Sequence, residues 1–243
     1  MKRCAIAFTA VLAVVAVTSA DTQKKDVDVK APDGVNLKGT YFSPGRGGPA
    51  VLLLHQCNMD RHAWDGLAAD LASAGIHVLT VDFRGFGESD GKPVDAAGRQ
   101  ALSAKWPGDV DMMLTFLLAQ QGVDKSRVGA GGASCGVAQS TALAVRHPEI
   151  KTLIELSGNA TDETKSYITH TPGLAVFGAA SEGDAGAAKG IMDLVEASKN
   201  PRSTLKIYAG SEHGVPMFSK NPELEPLIVS WIKARLMAGG ATQ

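Results

Sequence analysis

Residues 127–137 read Arg127-Val128-Gly129-Ala130-Gly131-Gly132-Ala133-Ser134-Cys135-Gly136-Val137, and the rest of the chain is best understood outward from them. Arg127 to Gly131 is a weak strand, and from about Cys135 onward Val137, Leu143 and Ala144 recur at helical spacing. Between strand and helix stands G-x-S-x-G, Gly132 to Gly136. Glycines two residues either side of a central position let neighbouring backbone pack closely, so the chain can turn sharply and push the central side chain outward. A helix start also supplies free N–H groups and the positive end of the dipole. The plainer reading is a serine that N-caps a helix after a glycine loop, and the flanking sequence must decide between them.

Upstream, Val27 to Lys30 and Val35 to Phe42 alternate apolar with polar residues around the turn Pro32-Asp33-Gly34, which predicts an N-terminal antiparallel hairpin at a sheet edge. From Pro49 the pattern changes to short continuous apolar runs at 50–54, 76–81 and 174–177, with weaker ones at 127–131, 152–156 and 205–209. Such runs are expected of strands buried on both faces. Helical periods fall between them: Trp64-Leu67-Ala68-Leu71, Val110-Met113-Leu114-Leu117, Ile191-Leu194-Val195 and Leu227-Ile228-Trp231-Ile232. Alternation of strand and helix predicts an α/β domain with a doubly wound, mostly parallel sheet. Ligands of such sheets bind at the carboxyl ends of the strands, so the loops that follow strands are where chemistry is sought.

Lys2 and Arg3, the apolar stretch Cys4 to Val17 and the small residues Thr18 to Ala20 have the pattern of a secretory signal peptide, residues 1–20, cut near Ala20. The run is shorter than a membrane-spanning helix requires. Export, periplasmic or secreted, is therefore expected, with no stable membrane insertion of the mature chain. Residues 21–243 form a single domain of 223 residues, enough for a sizeable core. With the leader gone, 22 Lys and Arg stand against 25 Asp and Glu. That balance, together with the scarcity of aromatics, speaks against a nucleic-acid partner.

A serine hydroxyl needs a base to take its proton, and histidine serves because its pKa lies near working pH. Of six histidines, His213 sits just after the strand ending at Ala209, in the Gly-flanked loop Gly210-Ser211-Glu212-His213-Gly214. His147 precedes Pro148 at a helix end, His62 opens a helix, His77 lies within a strand and His170 in a loop near Pro172. His55 follows a strand, where it can shape a loop. No His and carboxylate cluster has metal-ligand spacing, so neither a metal nor an organic cofactor is expected.

Leu52-Leu53-Leu54-His55, Asp82-Phe83-Arg84-Gly85-Phe86-Gly87-Glu88-Ser89, Gly132 to Gly136 and Gly210 to Gly214 occur in an order that resembles the α/β-hydrolase superfamily, over about the whole mature chain. The resemblance implies Ser134 as nucleophile, His213 as base and an orienting acid in the loop after 174–177. Asp184 is the first choice there, with Glu182 two residues earlier and Asp162, after the preceding strand, as alternatives. It also implies an oxyanion hole of backbone N–H groups, one from Cys135 and one from the loop His55-Gln56-Cys57-Asn58, with Cys57 preferred to Gln56. Most members have Gly where this chain has Gln56, so the loop departs from the family pattern. Asp82, Arg84 and Glu88 are expected to serve structure alone. The connection from Leu156 to Leu174 is too short for a large cap domain, as in the small dienelactone-hydrolase-like and esterase branches.

The two mature cysteines flank the same proposed site. A bridge needs Cα atoms within about 7 Å, but it would crowd the site, and free thiols are the expectation. The function that emerges is an exported serine esterase acting on a small-molecule acyl substrate. Thioester, lactone or peptide hydrolysis, or a non-catalytic binding role in the same fold, are the alternatives; nothing in the sequence addresses oligomeric state.

Overall fold

The computed structural model describes residues 22–92 and 96–237, so the proposed leader lies outside the described residues. The chain opens with strands β1 (Gln23–Lys30) and β2 (Asn36–Ser43), an antiparallel pair in which Val27 faces Gly39. Gly34 closes the turn at φ +87, a left-handed conformation that suits glycine. β3 (Gly48–Leu54), β4 (His77–Val81), β5 (Val123–Ala133), β6 (Ile150–Leu156), β7 (Ala175–Ser181) and β8 (Thr204–Tyr208) complete an eight-stranded sheet in the order β1-β2-β4-β3-β5-β6-β7-β8. β2 joins β4 antiparallel, and β3 to β8 are mutually parallel. The doubly wound, mostly parallel sheet with an antiparallel hairpin at its edge is thus the observed architecture.

The continuous apolar runs have the cause assigned to them. Every residue of β3 is buried, with Leu52 and Leu54 entering one core and Val51 and Leu53 the other. Each such side chain withdrawn from water contributes about 1.5–3 kcal/mol. On one face lie the helices α3 (Trp106–Leu118), α4 (Cys135–Arg146) and α6 (Ala185–Ala197), and on the other α1 (Asp65–Ser73) and α8 (Leu224–Leu236).

Three further helices carry too few large apolar residues to be read from sequence: α2 (Ala96–Ser103), α5 (Asp162–Thr169) and the single turn α7 (Met217–Lys220). α5 buries just one large apolar side chain, Ile168, and is started by Thr161, whose hydroxyl accepts from the Thr164 N–H at 3.2 Å. It is the one helix in the connection from β6 to β7, and no large cap enters there. Among the described residues no helix is long and apolar enough to cross a membrane.

Candidate active site

Ser134 stands between the last residue of β5 and the first of α4, with φ +53 and ψ −114. Its hydroxyl makes no capping hydrogen bond, so the plainer reading of an N-capping serine does not hold. The glycines around it are there for space. A Cβ on Gly132 would lie 2.2 Å from the Gly136 carbonyl, and one on Gly136 would lie 2.4 Å from Leu54 O. The elbow is anchored to β6 by the Ser134 N–H, which donates to Leu156 O at 2.9 Å.

The loops after β7 and β8 bring Asp184 and His213 together, with Asp184 Oδ2 accepting from His213 Nδ1 at 2.5 Å. Asp184 occupies the position before α6 but makes no capping bond there; its carboxylate is turned to the imidazole instead. The two loops are tied to each other as well: Ser181 Oγ donates to Glu212 O at 2.7 Å and Gly183 N–H to Gly210 O at 2.8 Å. Of the two other carboxylates, Glu182 is exposed, and Asp162 is 99 % exposed on α5 and paired with Lys165 at 2.8 Å. Neither meets His213.

The His213 loop rests on the elbow. At Gly214, φ +70, a Cβ would lie 3.4 Å from Ala133 Cβ, one residue before Ser134. No hydrogen bond joins Ser134 to His213 among the described residues. Nucleophile-to-base bonds of this kind are often long in unliganded sites and tighten with substrate bound. Bonding of Nδ1 to Asp184 leaves Nε2 as the nitrogen able to accept a proton, on a side chain 42 % exposed.

The third segment follows β3. The His55 ring is fully buried, with Nδ1 donating to Gln56 O at 2.7 Å and Nε2 accepting from the Phe83 N–H at 3.0 Å. Both ring nitrogens are used, and burial lowers its pKa below the ordinary histidine value. It shapes the loop and has no nitrogen free for proton transfer. Gln56 is buried too; its Oε1 accepts from the Val215 N–H at 2.9 Å and its Nε2 donates to Asn58 Oδ1 at 2.8 Å. The glutamine that replaces the family's glycine therefore ties the third segment to the His213 loop. The sequence marked position 56 as a departure but not its side chain as a tether.

Cys57 and Cys135, expected as free thiols, are joined by a disulfide with Cα atoms 5.9 Å apart. The first turn of α4 presses so closely on the end of β3 that the two cysteines meet, and Cys57 is exposed, so the bridge runs along the rim and does not fill the site. Cys135 begins α4, where its N–H has no intrahelical partner. Beside the bridge lies a cleft of about 460 Å³ lined by Cys57, Phe86, Gln100, Ser103 and Trp106.

The remaining singled-out residues have structural work. Asp82 accepts from the Arg61 N–H at 2.7 Å and the Glu88 N–H at 2.9 Å, and Arg84 binds both oxygens of Asp109 at 2.9 and 2.7 Å. His147 contacts Asp111 and Glu149 at 3.1 Å each, and His77 meets the Tyr41 hydroxyl at 2.6 Å. Glu155, fully buried on β6 against Ser140, was not singled out by sequence, since a lone glutamate in an apolar run carries no motif.

Residues 49–172 match the family model described as the alpha/beta hydrolase fold. An uncharacterized protein of Mycobacterium tuberculosis is 36% identical over 126 residues, 51% of this chain and 42% of that protein. A thiohydrolase of Aspergillus aculeatus is 29% identical over 133 residues, 54% of this chain and 40% of that protein. The chain therefore matches less than half the length of either curated relative. Among solved structures, an esterase of Pyrococcus furiosus superposes with a TM-score of 0.70 at 18% identity, covering 93% of this chain and 96% of that one. With the family model spanning half the sequence and the sheet order, elbow and loops described above, the chain belongs to the α/β-hydrolase fold family.

Proposed function

We propose that the protein is an exported serine hydrolase that cleaves carboxylic esters through Ser134, His213 and Asp184. The observation that carries this reading is the 2.5 Å contact between His213 and Asp184, in a loop that rests on the elbow presenting Ser134. Ser134 Oγ attacks the acyl carbon as His213 Nε2 takes its proton, and Asp184 holds the imidazole in the tautomer with Nδ1 protonated. The N–H groups of Cys135 and Cys57 donate to the carbonyl oxygen as it becomes an oxyanion. The tetrahedral species collapses as His213 returns the proton to the leaving alcohol. Water, deprotonated by the same nitrogen, then releases the acid and restores the Ser134 hydroxyl.

Export is supported by the leader-like residues 1–20 and accords with a disulfide, which persists in oxidising compartments. A thioester is the second reading, favoured by likeness to the Aspergillus thiohydrolase; a thiolate leaves more readily than an alkoxide and would use the same groups. The test is a fluorophosphonate probe with native protein and Ser134→Ala, together with matched ester and thioester panels of rising acyl length. Ser134-dependent labelling and hydrolysis are expected. Native protein that neither labels nor turns over any ester or thioester would leave a binding role in this fold as the surviving alternative.

A further inference from the structure

We infer that the Cys57–Cys135 disulfide is a positioning element of the reaction: it locks the two segments that carry the oxyanion donors into one unit, so that turnover depends on the bridge being closed. The inference rests on the proposed serine hydrolase reading.

Oxyanion stabilisation depends on donors held within about 2.7–3.1 Å of the place where charge develops, and a displacement of about 1 Å can cost on the order of 100-fold in rate. Here the two proposed donors come from segments 78 residues apart in sequence, the loop after β3 and the first residue of α4. The bridge connects the side chains of the same two residues whose N–H groups would do this work, and one of them directly follows Ser134.

The neighbours of Cys57 are held without it. His55 is fixed through its ring, Gln56 through its side chain to Val215, and Met59 through its N–H to Gln56 O at 3.0 Å. Cys57 itself makes no hydrogen bond among the described residues and is exposed, as is Asn58. The Gln56–Cys57 peptide that carries this N–H is oriented within its own loop by the bonds to Gln56 O, and the covalent link to Cys135 ties that peptide to the elbow. Cys135, by contrast, is held by the helix that it begins. Opening the bridge should loosen the position of this loop relative to the elbow, with the Asp184–His213 pair left in place.

The accessible sulfur permits a direct test. A water-soluble phosphine attacks the S–S bond and leaves two thiols, while the phosphine becomes its oxide with oxygen from water. Full-length mature protein is assayed oxidised, reduced and alkylated, and reduced then re-oxidised. Cys57→Ala/Cys135→Ala serves as a second route to the open loop, and Ser134→Ala as the control on the reaction itself. Far-UV circular dichroism and the unfolding midpoint are followed in parallel.

The expected result is a fall in kcat of about 10- to 100-fold, the scale of a donor displaced by up to about 1 Å, with KM within about twofold, in protein that remains folded at the assay temperature. Re-oxidation should restore the rate. A trifluoromethyl ketone, which mimics the tetrahedral species, should lose affinity by the same factor as kcat, whereas a product acid should not. Unchanged kcat in the reduced protein and the double variant, with Ser134→Ala inactive, overturns the inference and leaves the hydrolase reading standing. So does a loss of turnover that merely follows unfolding, because the bridge is then a staple of the fold alone. Full hydrolysis by Ser134→Ala removes the reading beneath it, whatever the bridge does.

Discussion

Replacing Glu155 with glutamine should change how stability depends on pH, by an amount that follows from where the carboxyl sits. Glu155 lies on β6 in register with Gly132, is fully buried, and has the Ser140 hydroxyl 2.8 Å from each of its oxygens. No cation reaches it among the described residues. Burial raises its pKa well above the ordinary 4.5, and the Ser140 hydrogen bond opposes this only in part. The folded protein therefore holds the proton over a range in which the unfolded chain has released it. More protons bound in the folded state means that stability falls as pH rises, starting near the unfolded value and ending at the raised folded one. Within that window the slope is about 1.4 kcal/mol per pH unit, or about 3–6 °C in midpoint for a domain of this size. Glu155→Gln removes the ionisation and keeps the shape. Its extra N–H adds an offset that does not vary with pH. Urea unfolding of both proteins between about pH 5 and pH 7 should show the stability difference, variant minus wild type, growing more positive as pH rises, whatever its value at the acid end. Two parallel curves would refute the buried, proton-holding carboxyl.

Three other expectations follow from single contacts. Asp184→Asn keeps the fold but favours the wrong imidazole tautomer, and ester kcat should fall by on the order of 10⁴-fold; an active variant with normal circular dichroism would remove Asp184 from the mechanism. Gln56→Ala leaves the buried Val215 N–H without its acceptor, a loss of about 1–3 kcal/mol. Denaturant titration should register it together with slower turnover, and unchanged values of both would show that the tether is idle. Gly132→Ala places a Cβ 2.2 Å from the Gly136 backbone. The strain should cost at least about 1–3 kcal/mol, and a variant as stable as wild type in the same titration would mean that the elbow relaxes freely.

The fold was legible where burial dominates. β3 and the first part of β7 read as apolar runs because both their faces are buried, and G-x-S-x-G is visible because the turn tolerates nothing larger than hydrogen at positions 132 and 136. α2 and α5 were not legible, since Leu102 is the one large apolar residue of the first and Tyr167 and Ile168 are those of the second, too few to mark a helix in the sequence. Within the site, Asp184 was the first choice as partner of His213, but Glu182 and Asp162 stayed open, because which carboxylate faces the imidazole is set by backbone geometry that spacing along the chain does not encode. The disulfide was read the wrong way. Its formation depends on how closely α4 approaches the end of β3, a distance set by Gly136 in three dimensions and not by any spacing along the chain. The Gln56 tether is of the same kind: an unusual residue can be seen, but its partner 159 residues away cannot.

The backbone at Ser134 has a consequence for how this protein can be varied. A residue other than glycine held at φ +53 and ψ −114 carries about 1–3 kcal/mol of strain that the surrounding structure must offset. Glycine would sit there in comfort, and a β-branched side chain would not sit there at all. Selection for stability alone would thus discard the serine and never arrive at threonine. Under the proposed mechanism, catalysis and stability make opposite demands at this one position, and a library screened only for thermal tolerance should lose this side chain early.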